Sequence, residues 1–225
     1  MPVTRADHMQ FVGGIANKSI VQTHLFYLNL MDDIYSTYRA VQPGETPFPF
    51  TDVPESRWSY PYIKELYDAG VVSGMTATTF APAENMTRAQ FVTMLAGLQG
   101  ADVSTYKTGK FTDVPADAWY APYVSWAAEN GVVHGVTDTA FAPDADISRQ
   151  DMAVMVYRYA ERFGIRLGTD VPPVTFADAG DIAAYALPAV QALQRAGAIS
   201  GMPDGSFRPR EHMTREQACV VLSAL

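Results

Sequence analysis

One pattern of residues is written three times along this chain, and a repeat of that length constrains the fold more than any other feature. Phe50, Phe111 and Phe176 each open a unit as Phe-x-Asp, placing acids at Asp52, Asp113 and Asp178. An aromatic recurs at Trp58, Trp119 and Tyr185, followed by a proline at Pro61, Pro122 and Pro188. Glycines come next at Gly70, Gly131 and Gly197 and again at Gly74, Gly135 and Gly201. Phe80, Phe141 and Phe207 then lead through a proline to Thr87-Arg88, Ser148-Arg149 and Thr214-Arg215. A single residue is inserted, in the third unit between Phe176 and Tyr185. The units are taken as 50–110, 111–175 and 176–225, preceded by a segment over 1–49.

Each unit reads as helix, turn, helix, so the expected class is all-α. Between Pro61 and Ala69 the apolar residues Ile63, Leu66 and Tyr67 recur at helical spacing, with proline in the tolerated first turn and Gly70 at the exit. Pro122 to Asn130 and Pro188 to Ala196 repeat the plan. The second helix of each unit begins at Thr87, Ser148 or Thr214. Thr87 with Gln90 and Thr214 with Gln217 have capping-box spacing, and Ser148 with Asp151 is a near relative. A hydroxyl cap of this kind stabilises by about 1 kcal/mol. The stripes that follow are Phe91, Met94, Leu95 and Leu98, then Met152, Met155, Val156 and Tyr159, then Ala218, Val221, Leu222 and Leu225. One unit buries too little to stand alone, so these faces are expected to meet in a central bundle.

Arg88, Arg149 and Arg215 are the oddity. Each follows a cap directly, at the positive end of a helix dipole, where a cation is disfavoured. Repetition of an unfavourable choice has two readings. Free helix amides with a guanidinium beside them form a site for a carboxylate or phosphate. Alternatively, each arginine pairs with an internal acid, such as the Asp of a Phe-x-Asp start, and pins one unit to the next.

Phe-x-Asp-Val, Trp, Gly-Val-Val-x-Gly, Phe-x-Pro and Thr-Arg-Ala-Gln in that order resemble the S-layer homology family, over residues 50 to 225. The resemblance implies a three-pronged, pseudo-threefold spindle around a helix bundle. It also implies a non-catalytic module that holds proteins on bacterial surfaces by gripping an anionic cell-wall polysaccharide, often one carrying a pyruvate ketal. In that family the Thr-Arg-Ala-Glu motif is tied to polysaccharide binding. Its counterparts here are Thr87-Arg88-Ala89-Gln90, Ser148-Arg149-Gln150-Asp151 and Thr214-Arg215-Glu216-Gln217. Around the arginines, Trp58 and Trp119 are candidates for a sugar-stacking wall or for hinge packing. Asp52, Asp113 and Asp178 are candidate hydroxyl acceptors, and Gly74, Gly135 and Gly201 would let backbone approach a ligand. Because the third unit has Tyr185 and an insertion, the first two units are expected to form the better pockets.

Other classes find little support. A formal charge of −8 lacks the basic footprint of a nucleic-acid binder. Apolar runs fall short of the ~20 residues of a membrane span. His8, His24, His134 and His212 are scattered, so no metal or cofactor site is expected, and no hydrolase elbow, P-loop or dinucleotide fingerprint points to an enzyme. The lone Cys219 occupies the place of Val92 and Ala153 and reads as a packed side chain. The opening residues lack a signal-peptide plan, so the chain is expected either as a mature fragment of an extracellular wall protein whose export signal has been removed or as one that was never a secreted precursor in this form.

Residues 1–49 open with Thr4-Arg5-Ala6-Asp7 and resemble the second half of a fourth unit, followed by a helix-like run from Ile20 to Tyr38. Closing the bundle is one expected role and self-association through residues 20–38 another. The latter frames an alternative function, a protein-assembly subunit in which the spindle is only scaffold.

Overall fold

The computed structural model describes residues 48–106 and 109–225. The partial unit and the 20–38 helix expected in the N-terminal segment lie outside the described residues. Among the described residues there are six α-helices: α1 (Tyr60–Asp68), α2 (Arg88–Gln99), α3 (Ala121–Glu129), α4 (Arg149–Phe163), α5 (Leu187–Arg195) and α6 (Arg215–Ser223). A 3₁₀ turn at Ala179–Asp181 precedes α5. No β-strand occurs among them, and the class is all-α as expected.

The first helix of each repeat carries proline in its opening turn, where a missing N–H removes no intrahelical bond. Each exits through Gly70, Gly131 or Gly197 at φ of 72°, 73° and 75°, a left-handed turn that a side chain would strain. The second helices start on their expected caps. Thr87 Oγ1 accepts from the Gln90 amide at 3.2 Å while its own amide donates to Gln90 Oε1 at 3.1 Å, and Thr214 with Gln217 forms the same box. Ser148 accepts from the Asp151 amide, but the Asp151 carboxylate turns away to accept from Tyr185 Oη.

Helices pair across repeats rather than within them. The apolar stripes of α2, α4 and α6 pack on the first helix of the following repeat, so that α2 meets α3, α4 meets α5 and α6 meets α1, closing a ring. Of the three second helices, α2 and α4 also touch. The stripe residues are buried in one continuous core drawn from all three repeats, with Leu98 and Leu225 at its edge. Where the repeats meet, backbone joins them: Ile147 N donates to Met86 O (2.8 Å), Met213 N to Ile147 O (3.0 Å) and Met86 N to Met213 O (2.9 Å). These three side chains are at most 1% exposed, so the bonds run in a nearly dry environment where an unmade one is costly.

The seams differ at the residue after each arginine. Glu216 forms a bidentate pair with Arg57 (2.7 and 2.9 Å) and accepts from Ser59 Oγ (2.6 Å). Gln150 Oε1 accepts from the Ala183 amide at 3.0 Å, and Ala89 is simply buried.

Candidate functional site

The three arginines are the hinge between fold and site. Arg88, Arg149 and Arg215 are only 5%, 8% and 6% exposed, and burial pulls each guanidinium pKa below its ordinary value. Each reaches into the next repeat. Arg88 Nε donates to the Phe141 carbonyl (2.9 Å), Arg149 Nε to Phe207 (2.8 Å) and Arg215 Nε to Phe80 (2.8 Å). The guanidinium carbons lie 4.9, 4.9 and 4.4 Å from the centroids of those same phenylalanine rings, within cation–π range.

Asp52, Asp113 and Asp178 prepare these phenylalanines. The two oxygens of Asp113 accept from the amides of Phe141 (2.9 Å) and Ala142 (2.7 Å), and Asp52 and Asp178 do the same for Phe80-Ala81 and Phe207-Arg208. The second residue of each pair, Ala81, Ala142 or Arg208, stands at φ 58°, a conformation that strains any residue with a Cβ. The carboxylate clamp holds that strained turn. Burial pushes the Asp113 carboxyl up, but the amides of Phe141 and Ala142 outweigh it and leave it below the usual range.

Two sequence readings are therefore revised. The internal partner of each arginine is a phenylalanine carbonyl, and the Asp of Phe-x-Asp holds that phenylalanine in place instead of facing a ligand. Nor are the helix amides free. Arg88 N donates to Ala145 O and Ala89 N to Pro143 O, Arg149 N to Glu211 O and Gln150 N to Pro209 O, Arg215 N to Glu84 O and Glu216 N to Pro82 O, while the caps take the third amide. An anion would have to be met by side chains.

An open groove nonetheless lies beside every arginine. The Arg88 groove measures about 380 Å³, the Arg215 groove about 340 Å³ and the Arg149 groove about 220 Å³. All three repeats contribute to each. Arg88 comes with Gly135 and Tyr185, Arg149 with Gly201 and Trp58, and Arg215 with Gly74 and Trp119. No groove belongs to one unit, which corrects the expectation that the first two units hold the better pockets: Tyr185 of the third repeat lines the largest groove. The aromatics are exposed by 58%, 57% and 60%, which leaves ring surface open to a sugar face, while the Tyr185 hydroxyl is also bonded across the seam to Asp151 and Gln150. The glycines line the grooves, but internal packing also requires them: a Cβ on Gly135 would stand 2.6 Å from the Phe111 ring and from the Ala140 carbonyl.

Sequence reasoning missed His134 and Arg158, which line the Arg88 groove together with Asp151 from the Ser148-Arg149-Gln150-Asp151 motif. Arg158 had a detectable signal, since the corresponding place after Arg88 and Arg215 holds Gly97 and Ala224. Tyr185 Oη donates to Asp151 Oδ1 at 2.7 Å, and partial burial with that carboxylate pushes the phenol up to about 12. Cys219 is wholly buried, its thiol pushed up to about 12 mainly by burial, as a packed side chain should be. Among the described residues no cluster of His, Cys, Asp and Glu suited to a metal occurs, and no helix is long and apolar enough to cross a membrane.

The S-layer homology domain profile matches residues 49–92, 110–153 and 175–219. An endoglucanase of Bacillus sp. (strain KSM-635) is 38% identical over 178 residues, which are 79% of this chain and 19% of the enzyme. The cellulosome-anchoring protein of Acetivibrio thermocellus is 29% identical over 79% of this chain and 39% of its own length. The S-layer protein sap of Bacillus anthracis is 31% identical over 48% of this chain and 13% of its own. The chain thus spans well under half of each of these relatives.

Proposed function

Because this chain belongs to the S-layer homology domain family, with three tandem repeats, we propose that it is a non-catalytic anchor that holds its bearer on a bacterial surface by binding an anionic wall polysaccharide. The observation that carries the reading is the threefold recurrence of an open groove with a buried guanidinium at its floor and an exposed aromatic at its lip. The arginine supplies charge-assisted donors for an acidic substituent such as a pyruvate ketal, and the aromatic supplies the flat wall that sugar C–H faces stack on. Overall negative charge keeps polyanions off the rest of the surface, so recognition is confined to the grooves. Several weak grooves on one body also prolong residence on a repeating polymer through effective concentration. An anchoring protein and S-layer proteins among the relatives fit this role.

Calorimetry with wall polysaccharide that carries pyruvate ketals, native and after acid removal of the ketal, tests it. Stronger binding of the native polymer is expected. Equal binding of both would discard the arginine–carboxylate mechanism, and binding of neither would discard anchoring through this polymer.

A further inference from the structure

The three grooves share a plan but not their chemistry, and the difference sits in the guanidinium groups. In two of them a terminal nitrogen is spent on the protein: Arg149 NH2 donates to the Ser200 carbonyl (3.2 Å) and Arg215 NH2 to the Ser73 carbonyl (3.0 Å). The corresponding residue in the Arg88 groove is His134, and no such bond forms. Among the described residues the Nε–H is the only Arg88 side-chain donor with a hydrogen-bond partner; the Asp151 carboxylate forms an ion pair with NH1 at 3.8 Å, beyond hydrogen-bond reach. Both terminal nitrogens therefore line an open groove without a hydrogen bond, NH1 held only in a loose ion pair with Asp151, although the side chain is just 7% exposed. The same groove alone carries a second guanidinium, Arg158 on α4, in the place held by Gly97 and Ala224 elsewhere.

Building on the anchoring role above, we infer that the Arg88 groove is the subsite for the acidic substituent, with Arg88 and Arg158 as its two arms, while the Arg149 and Arg215 grooves take neutral sugar faces on Trp58 and Trp119. Asp151 does not cancel the site. One of its oxygens already accepts from Tyr185, and two guanidinium groups against one carboxylate leave net positive charge. It instead tempers affinity and fixes Tyr185 at the lip. Both arginines also act electrostatically on the Tyr185 hydroxyl, which places them around the same space. His134 joins them in the lining, its pKa lowered by burial and by Arg158 and Lys110.

The test compares binding of native and ketal-stripped wall polysaccharide by Arg158→Gln, Asp151→Asn and Trp119→Ala, each checked for an unchanged melting temperature. Arg158→Gln should weaken binding of the native polymer about tenfold, the low end for a charge-assisted contact. Asp151→Asn should strengthen it about threefold by removing a competing charge. Neither should alter the stripped polymer, and Trp119→Ala should weaken both polymers equally. Wild-type binding of both polymers by Arg158→Gln would overturn the assignment while leaving anchoring intact. A loss confined to the native polymer in Trp119→Ala would move the acidic subsite to the Arg215 groove. If the unmutated protein binds neither polymer, anchoring itself falls and takes this assignment with it.

Discussion

The seam between the third and first repeats and the seam between the first and second are built on one plan with unequal reinforcement. Both are pinned by an arginine donating to a phenylalanine carbonyl in the next repeat, Arg215 to Phe80 in one and Arg88 to Phe141 in the other. Both have helix amides received by that repeat's backbone carbonyls. At the first seam, between repeats adjacent in sequence, the position after the arginine is a buried alanine, Ala89. At the closing seam it is Glu216, paired bidentately with Arg57 across 159 positions of sequence and bonded to Ser59. Gln150, which accepts from the Ala183 amide and donates to Tyr185 Oη, is intermediate, with two neutral hydrogen bonds against a charged pair. Adjacent repeats are already held near each other by the chain, whereas closing a long loop costs more conformational entropy. The strongest and most geometrically selective contact falls where the chain helps least, and it marks which repeat may follow which.

Removing what the seams share should do most damage. Asp113→Ala strips the clamp from the Phe141 and Ala142 amides and from a strained turn, and should lower unfolding free energy by about 4 kcal/mol, read by urea denaturation. A variant with wild-type stability would mean that the pin assembles without its clamp. Removing what the seams do not share should produce a gradient: about 3 kcal/mol for Glu216→Ala, which leaves Arg57 and Ser59 without their partner, and about 1 kcal/mol for Gln150→Ala. Equal losses would break the argument from loop closure.

Acid should act on the same contrast. Burial pushes the Glu216 carboxyl up, but Arg57 and Ser59 outweigh it and hold it below the usual range; the Asp113 and Asp178 carboxyls are likewise held low by backbone amides. A carboxyl lowered in the folded state binds more protons when unfolded, so stability rises with pH through this range. The contribution is present above about pH 4 and is lost as pH falls through the folded values. Glu216→Gln should flatten part of that acid limb in a series of melts, and an unchanged slope would show the closing pair to be silent. The smallest effect on stability is expected at the groove lips, where Trp119→Ala should shift unfolding free energy by less than about 0.5 kcal/mol because the ring is mostly exposed.

Much of this was readable before any coordinates. Repeat spacing, proline starts, glycine exits and hydroxyl caps are local, each depending on residues a few positions apart, and the helices fall where those signals put them. The stripes announced their burial, though not that each would pack on the next repeat's first helix. The site was legible only in outline. The arginines were singled out for sitting against a helix dipole, yet sequence could not show that their helix amides are filled by the following repeat, that a phenylalanine carbonyl receives each Nε, or that Asp113 serves Phe141 from 28 positions away. Arg158 was overlooked because its meaning depends on the absence of a counterpart at Gly97 and Ala224, and on Tyr185 arriving opposite it from another repeat.

By itself, then, the sequence determined a thrice-repeated helix pair, its caps and its buried stripes, because short-range periodicity and backbone chemistry need no partner to be read. Only the tertiary structure decided which repeat each arginine pins, that every groove is assembled from three repeats, and that one of them keeps the terminal nitrogens of its guanidinium without a hydrogen bond beside a second arginine. Those outcomes depend on side chains brought within a few ångströms from distant parts of the chain, and proximity of that kind exists only once the ring has closed.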